Sequence, residues 1–223
     1  MKLIRFLILT VITAPILSAL AQGAFQNLDF ETATIPQSQA QGPVSAAAAF
    51  PDWTVFVGTF QLTQVLFNDA TLGTTSVSLV GTNGIGTTKS IEGGYSVLLQ
   101  GGVTASDASI RQTGLIPSLA ESIMFKAQPG FGQLNVSLGG QNVQVFTLGT
   151  GPNYTLYGCD VMAFAGQVEE LELSALNGRV VGPNDWEIDS IVFSPTAVPE
   201  PETWALMLCG AVLFGIGRWK QKA

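Results

Sequence analysis

Carboxylates are the only plentiful side chains here that can do acid–base chemistry. The chain has 16 Asp and Glu, 9 Lys and Arg, two cysteines and no histidine. Without histidine there is no Ser-His-Asp or Cys-His nucleophile, and no zinc site that needs an imidazole. What remains is work by paired carboxyls, oxygen ligation of a hard cation, or stacking of a ligand on aromatic rings. Glu187 and Asp189 flank Ile188, so strand alternation places both acids on one face. A retaining glycosidase needs a second carboxyl roughly 5–5.5 Å from its nucleophile. Ile191 and Val192 follow, so no further acid stands beyond Asp189 in this strand. Glu169, Glu170 and Glu172 surround Leu171, a pattern that fits a solvated sheet face rather than a catalytic pair.

Sugar binding calls for an exposed aromatic platform with amides or acids nearby. Trp53 and Trp186 sit where strands begin, and such rings fill the interior of a sandwich. Tyr154 and Tyr157 follow Gly151, Pro152 and Asn153 and are the glycan-binding candidates, since that segment reads as reaching solvent. Cys159 reads as a small buried hydrophobe, and Cys209 lies in a separate apolar tail, so no disulfide between them is expected. The glycine pairs lack the following lysine and helix of a phosphate loop.

These groups must be positioned by the middle of the chain, because both ends read as processing segments. Lys2 and Arg5 precede an apolar run over residues 6–20, and Ala19-Leu20-Ala21 supplies a small-x-small cleavage site. Residues 1–21 therefore read as a signal peptide cut by signal peptidase after Ala21 or Ala24, rather than as a membrane anchor. Between residues 22 and 198 stand four bases, Lys89, Arg111, Lys126 and Arg179, against fourteen acids, a net charge of −10. That excludes nucleic acid as a partner, because affinity there rests on cations at phosphates. At the other end, residues 196–203 form a proline-punctuated linker. Residues 204–223 follow as an apolar transmembrane segment with Trp204 and Trp219 near its ends and Arg218, Lys220 and Lys222 as a basic terminus.

Pro199-Glu200-Pro201, then Thr203-Trp204-Ala205-Leu206, a glycine-bearing apolar helix and a basic end resemble the PEP-CTERM sorting signal. Glu202 stands where serine is common in that signal, and Trp219 and Gln221 interrupt the basic end. The resemblance implies cleavage near Pro199–Pro201 by an exosortase, in a Gram-negative bacterium that makes exopolysaccharide. It also implies a transient anchor in the inner membrane and delivery to the cell surface or extracellular matrix.

The ectodomain, residues 22–195, reads as all-β. Strands are expected at 53–60, 75–80, 95–100, 108–113, 121–127, 133–138, 143–148, 168–176 and 186–193, with glycine or Asn-Gly turns between them. Residues 37–49 carry no pattern and read as a long loop. Many short strands of even spacing predict a two-sheet β-sandwich, most simply a jelly roll. Asn27-Leu28-Asp29-Phe30-Glu31, Pro51-Asp52-Trp53, Gly94-Tyr95-Ser96-Val97 and the closing Ile188-Asp189-Ser190-Ile191-Val192-Phe193 resemble galactose-binding-like jelly rolls, among them carbohydrate-binding modules. That resemblance implies a structural Ca²⁺ joining the first and last strands, with Glu31 and Asp189 as ligands and Asp29 as a further candidate. Glu187-Ile188-Asp189 also resembles the start of the Glu-x-Asp-x-x-Glu strand of jelly-roll β-glucanases, but lacks the closing glutamate. The expectation is a non-enzymatic, exported surface or matrix protein with capacity for extracellular polysaccharide. The alternative is a divergent polysaccharide hydrolase or lyase.

Overall fold

A computed structural model describes residues 23–71, 73–102, 107–130, 132–176 and 184–198. The signal segment 1–21, the sorting tripeptide Pro199, Glu200 and Pro201, and the tail 204–223 lie outside the described residues. No helix among the described residues is long and apolar enough to cross a membrane.

The chain begins with β1 (Gly42–Ser45) and one turn of helix, α1 (Ala46–Ala49). Next come β2 (Thr54–Val57), β3 (Phe60–Gln61), β4 (Gln64–Phe67), β5 (Ser76–Gly81) and β6 (Tyr95–Gly101). The middle holds β7 (Ala108–Leu115), β8 (Ser122–Pro129), β9 (Leu134–Leu138), β10 (Gln141–Val143) and β11 (Phe146–Thr150). The last elements are β12 (Thr155–Asp160), a 3₁₀ turn at Met162–Phe164, β13 (Val168–Ala175) and β14 (Asn184–Ser194). They form an eight-stranded sheet, β1-β4-β5-β6-β14-β8-β12-β11, and a six-stranded sheet, β10-β9-β13-β7-β2-β3. Pairing is antiparallel apart from β4 with β5.

The strands close on one another because their alternate residues form one apolar interior. Leu171, Leu173 and Ala175 of β13, Ile110 of β7, Phe125 and Ala127 of β8 and Ile188 of β14 are all fully buried in the same cluster. Each of the Leu, Ile and Phe side chains contributes roughly 1.5–3 kcal/mol relative to an exposed one. Phe30 meets Phe50 edge-on at 6.0 Å and Trp53 at 5.7 Å, so the N-terminal segment seals one end of the sandwich. Trp53 and Trp186 are buried, and the Trp53 indole N–H donates to the Asn27 carbonyl at 2.9 Å. Opposite the core, Glu172 on the outer face of β13 pairs with Arg111 at 3.0 Å, and Arg111 lies 4.2 Å over the Phe56 ring. The acidic run is a wet sheet face.

Three stretches differ from the sequence expectation. Residues 37–49 are not a structureless loop but carry β1 and α1. An edge strand tolerates Pro43, and four alanines in a single turn have good helical propensity but no length in which to show a period. The expected strand at 143–148 divides into β10 and β11, and that at 53–60 into β2 and β3. Strands β4 and β12 were not anticipated. Gly158 interrupts the alternation of β12, and a methyl there would meet Leu148 at 2.7 Å and Val198 at 3.1 Å.

Candidate functional site

The last strand carries the chemistry. Asp185, Glu187 and Asp189 alternate with Trp186 and Ile188, which belong to the core, so the three acids face outward from the eight-stranded sheet. At Ser190 the backbone turns to φ 50, and the register against β8 shifts between Asp189 and Val192. This bulge restores the apolar face one residue late. Ile191 enters the core at 3% exposure, and Val192 points outward at 50%. The outward position after the bulge is thus held by valine, where a glutamate would be needed to complete a catalytic pair.

Glu187 is sealed as well as alone. It is 2% exposed and accepts a hydrogen bond from the hydroxyl of Ser96, itself fully buried. Among the described residues its Oε2 has no hydrogen-bond partner. Burial raises its pKa from 4.5 to about 7, against the Ser96 hydrogen bond and with added repulsion from Asp189. A raised carboxyl is what a general acid needs, but a group with no access to solvent cannot touch a polysaccharide.

Asp189 anchors a second cluster. One of its oxygens accepts the Glu92 N–H at 2.9 Å and the other the Ser190 N–H at 2.6 Å. Burial raises its pKa to about 7 despite those amides, and Glu31 and Glu92 add repulsion. Glu92, which the sequence reading overlooked, is held below its usual range by hydrogen bonds from Lys126 and Ser190 and by the charge of Lys126. Glu31 reaches the same end of the sheet from the N-terminal segment. Its carboxylate accepts Gly94 N–H at 2.8 Å and Tyr95 N–H at 3.1 Å. A Cβ at Gly93, whose φ is +57, would stand 2.3 Å from that carboxylate, which is why the loop carries glycine.

The calcium expectation can be tested against this geometry. Glu31 and Asp189 do approach one another closely enough to repel, but Asp29 is exposed and accepts the Glu31 N–H at 3.4 Å in a local turn. Among the described residues no three Asp, Glu or Cys groups are placed to hold a metal ion together. Backbone N–H groups occupy the oxygens of both principal candidates, and the Lys126 ammonium supplies the positive charge. Glu31 and Asp189 are thus engaged by backbone donors in this structure.

The two tyrosine candidates part company. Tyr157 turns inward, stacking on Phe125 at 5.7 Å and meeting Trp186 edge-on at 5.5 Å. Its ring belongs to the core rather than to a sugar platform, because β12 puts it on the same face as buried Cys159. The thiol of Cys159 is pushed up to about 12 by burial and is inert. Tyr154 lies at the other face, with Lys126 Nζ 5.1 Å from the ring centroid. It borders an open groove of about 470 Å³ with Gln128, Thr150, Asn153 and Thr155. Asn153 ties this rim to the Glu92 loop by donating to the Ile91 carbonyl at 3.0 Å. Tyr154, Lys126, Glu92 and Asn153 thus form one connected surface.

No protein-family model matches the chain, and no curated protein matches it. Among solved structures it is similar to the enzymatically active domain of bacteriophage CBA120 tailspike protein 4, at 15% identity and a TM-score of 0.39. That likeness covers 65% of this chain and 19% of the tailspike chain. It is also similar to TmCBM61, solved in complex with beta-1,4-galactotriose, at 13% identity and a TM-score of 0.37. There the likeness covers 78% of this chain and 99% of the other. The chain therefore spans about a fifth of the tailspike's length.

Proposed function

We propose that the protein is an exported, non-enzymatic component of a bacterial surface or exopolysaccharide matrix, built on a galactose-binding-like jelly roll and able to hold extracellular glycan. The observation that carries the glycan reading is the Tyr154 ring at the rim of an open groove with Gln128, Asn153 and Thr155 around it. An aromatic face packs against the C–H groups of a sugar ring, and adjacent amides and hydroxyls exchange hydrogen bonds with its hydroxyls. Export rests on the amino-acid sequence of residues 1–21 and 199–223, whose order matches a signal peptide and a PEP-CTERM tail. Exosortase and signal peptidase are the partners in maturation, and the membrane holds the tail until cleavage.

The non-enzymatic reading is supported by Val192 in the acid/base position, by the closure around Glu187 and by the lack of histidine. The hydrolase or lyase alternative would need a second carboxyl beside Glu187. Among the described residues Asp189 is the acid whose charge acts on it, and its oxygens are engaged by the N–H groups of Glu92 and Ser190. A glycan array probed with residues 22–198 tests the proposal. Binding to one or more glycans that is lost in Tyr154→Ala is expected, and an array with no bound glycan would refute it.

A further inference from the structure

A second concavity lies on the other side of the Glu92 loop, beside Tyr95. It is a cleft of about 280 Å³ whose walls include Gln37, Phe67, Asn68, Thr82, Asn83 and Tyr95. Asn68 is buried and fixed: its Oδ1 accepts the Gly81 N–H at 2.7 Å, and its amide donates to the Ala40 carbonyl at 3.4 Å. Gln39 in the wall is engaged as well, its amide donating to the Gln41 carbonyl at 2.6 Å. Among the described residues no hydrogen bond engages the side chains of Gln37, Thr82 or Asn83, or the hydroxyl of Tyr95. The cleft thus offers two unpaired amides, each both donor and acceptor, and two unpaired hydroxyls. The Tyr95 and Phe67 rings, 6.3 Å apart, supply apolar wall beside them.

Charge narrows the ligand. No Lys, Arg, Asp or Glu lines the cleft. A negative charge is tied to its wall, because Gly94 and Tyr95, which form part of it, bind the Glu31 carboxylate through their N–H groups. An anionic ligand would meet that repulsion with no cation among the lining residues. The volume sits just below the roughly 300–1,000 Å³ of sites for drug-sized molecules, which suits one six-membered ring and not a run of residues.

We infer that this cleft binds a single uncharged pyranose ring, such as the neutral end of a glycan chain, separately from the Tyr154 groove. This rests on the reading of the domain as glycan-binding. Vicinal hydroxyls pair with the free amides of Gln37 and Asn83, and the C–H face of the ring lies toward Tyr95.

The test is amide NMR on the full chain in a detergent without a sugar headgroup. The probes are D-galactose, D-glucose, D-mannose and N-acetyl-D-glucosamine, with D-glucuronate as the anionic control. At least one neutral sugar is expected to shift the amides of Thr82, Asn83 and Tyr95 saturably, while glucuronate does not. Asn83 and Gln37 are exposed loop residues, so Asn83→Ala and Gln37→Ala should fold normally. Each should weaken binding about two- to tenfold, as loss of one uncharged hydrogen bond does. Tyr154→Ala should leave these shifts unchanged. Equal shifts with glucuronate, or neutral-sugar shifts confined to the surroundings of Tyr154, would overturn the inference and leave the glycan reading standing. A spectrum that no sugar alters anywhere would remove both.

Discussion

Replacing Glu187 by glutamine should stabilise the protein at alkaline pH and not at acidic pH. Glu187 is 2% exposed, and burial raises its pKa from 4.5 to about 7. Between those values the folded state holds a proton that the unfolded chain has released. Stability therefore falls as pH rises through this window, and the loss is complete above the folded value. At 1.36 kcal/mol for each pH unit, the rise corresponds to about 3 kcal/mol, and relaxation around the ionised group brings the expected effect nearer about 2 kcal/mol. Glutamine keeps the shape and the contact with Ser96 but never ionises. Urea melts of wild type and Glu187→Gln at pH 4.5 and pH 8 should therefore differ only at the higher pH, with the variant more stable. For a domain of this size about 2 kcal/mol moves the melting temperature by roughly 4–8 °C. Asp189, also raised to about 7, has the same sign and should leave some pH dependence in the variant. A variant less stable than wild type at pH 8, or an equal difference at both pH values, would refute the burial argument.

Two further outcomes rest on the geometry and one on the sequence of the chain ends. Melting temperature should be unchanged between millimolar calcium and chelator, because backbone amides and Lys126 already compensate Glu31, Glu92 and Asp189; a bound ion at a hundredfold excess over Kd would add about 2.7 kcal/mol and be plain in the melt. Intact mass of native surface material should lack residues 1–21 and the segment beyond the Pro199-Glu200-Pro201 region, and a mass retaining residues 204–223 would contradict sorting cleavage. Incubation with β-glucan, xylan, alginate or the producer's exopolysaccharide should release no reducing ends; release that disappears in Glu187→Gln would overturn the non-enzymatic reading.

Alternation made the long strands legible. The outward placing of Glu187 and Asp189 follows from period two, and so does the wet face with Glu170 and Glu172. Two strands of four residues left no such trace, β1 and β4, and Gly158 hid β12. The site was legible only where residues lie close in sequence. Asp189 and Glu31 were paired by a resemblance, whereas Glu92 had no role in the sequence reading and Lys126 was one cation among four. Their association depends on the bulge at Ser190 and on the loop leading into β6, neither of which a pattern of hydrophobicity encodes. The opposite fates of Tyr154 and Tyr157 have a similar cause. They are three residues apart, but Tyr154 precedes β12 while Tyr157 falls on its inward face, so unseen strand boundaries decided which ring meets solvent. Tyr95 was read as the start of a strand and as part of a resemblance, and its cleft arises from loops far apart in the sequence.

The central claim is that this surface holds matrix glycan through Tyr154. It is tested most directly by co-sedimentation of residues 22–198 with the producer's own exopolysaccharide, wild type against Tyr154→Ala. The ring lies outside the core, so the variant should melt like wild type. Removal of an aromatic anchor costs on the order of 2 kcal/mol in a binding interface, so its affinity should drop at least about tenfold. Wild type that stays in the supernatant, or a Tyr154→Ala variant that sediments as fully as wild type, would contradict the account.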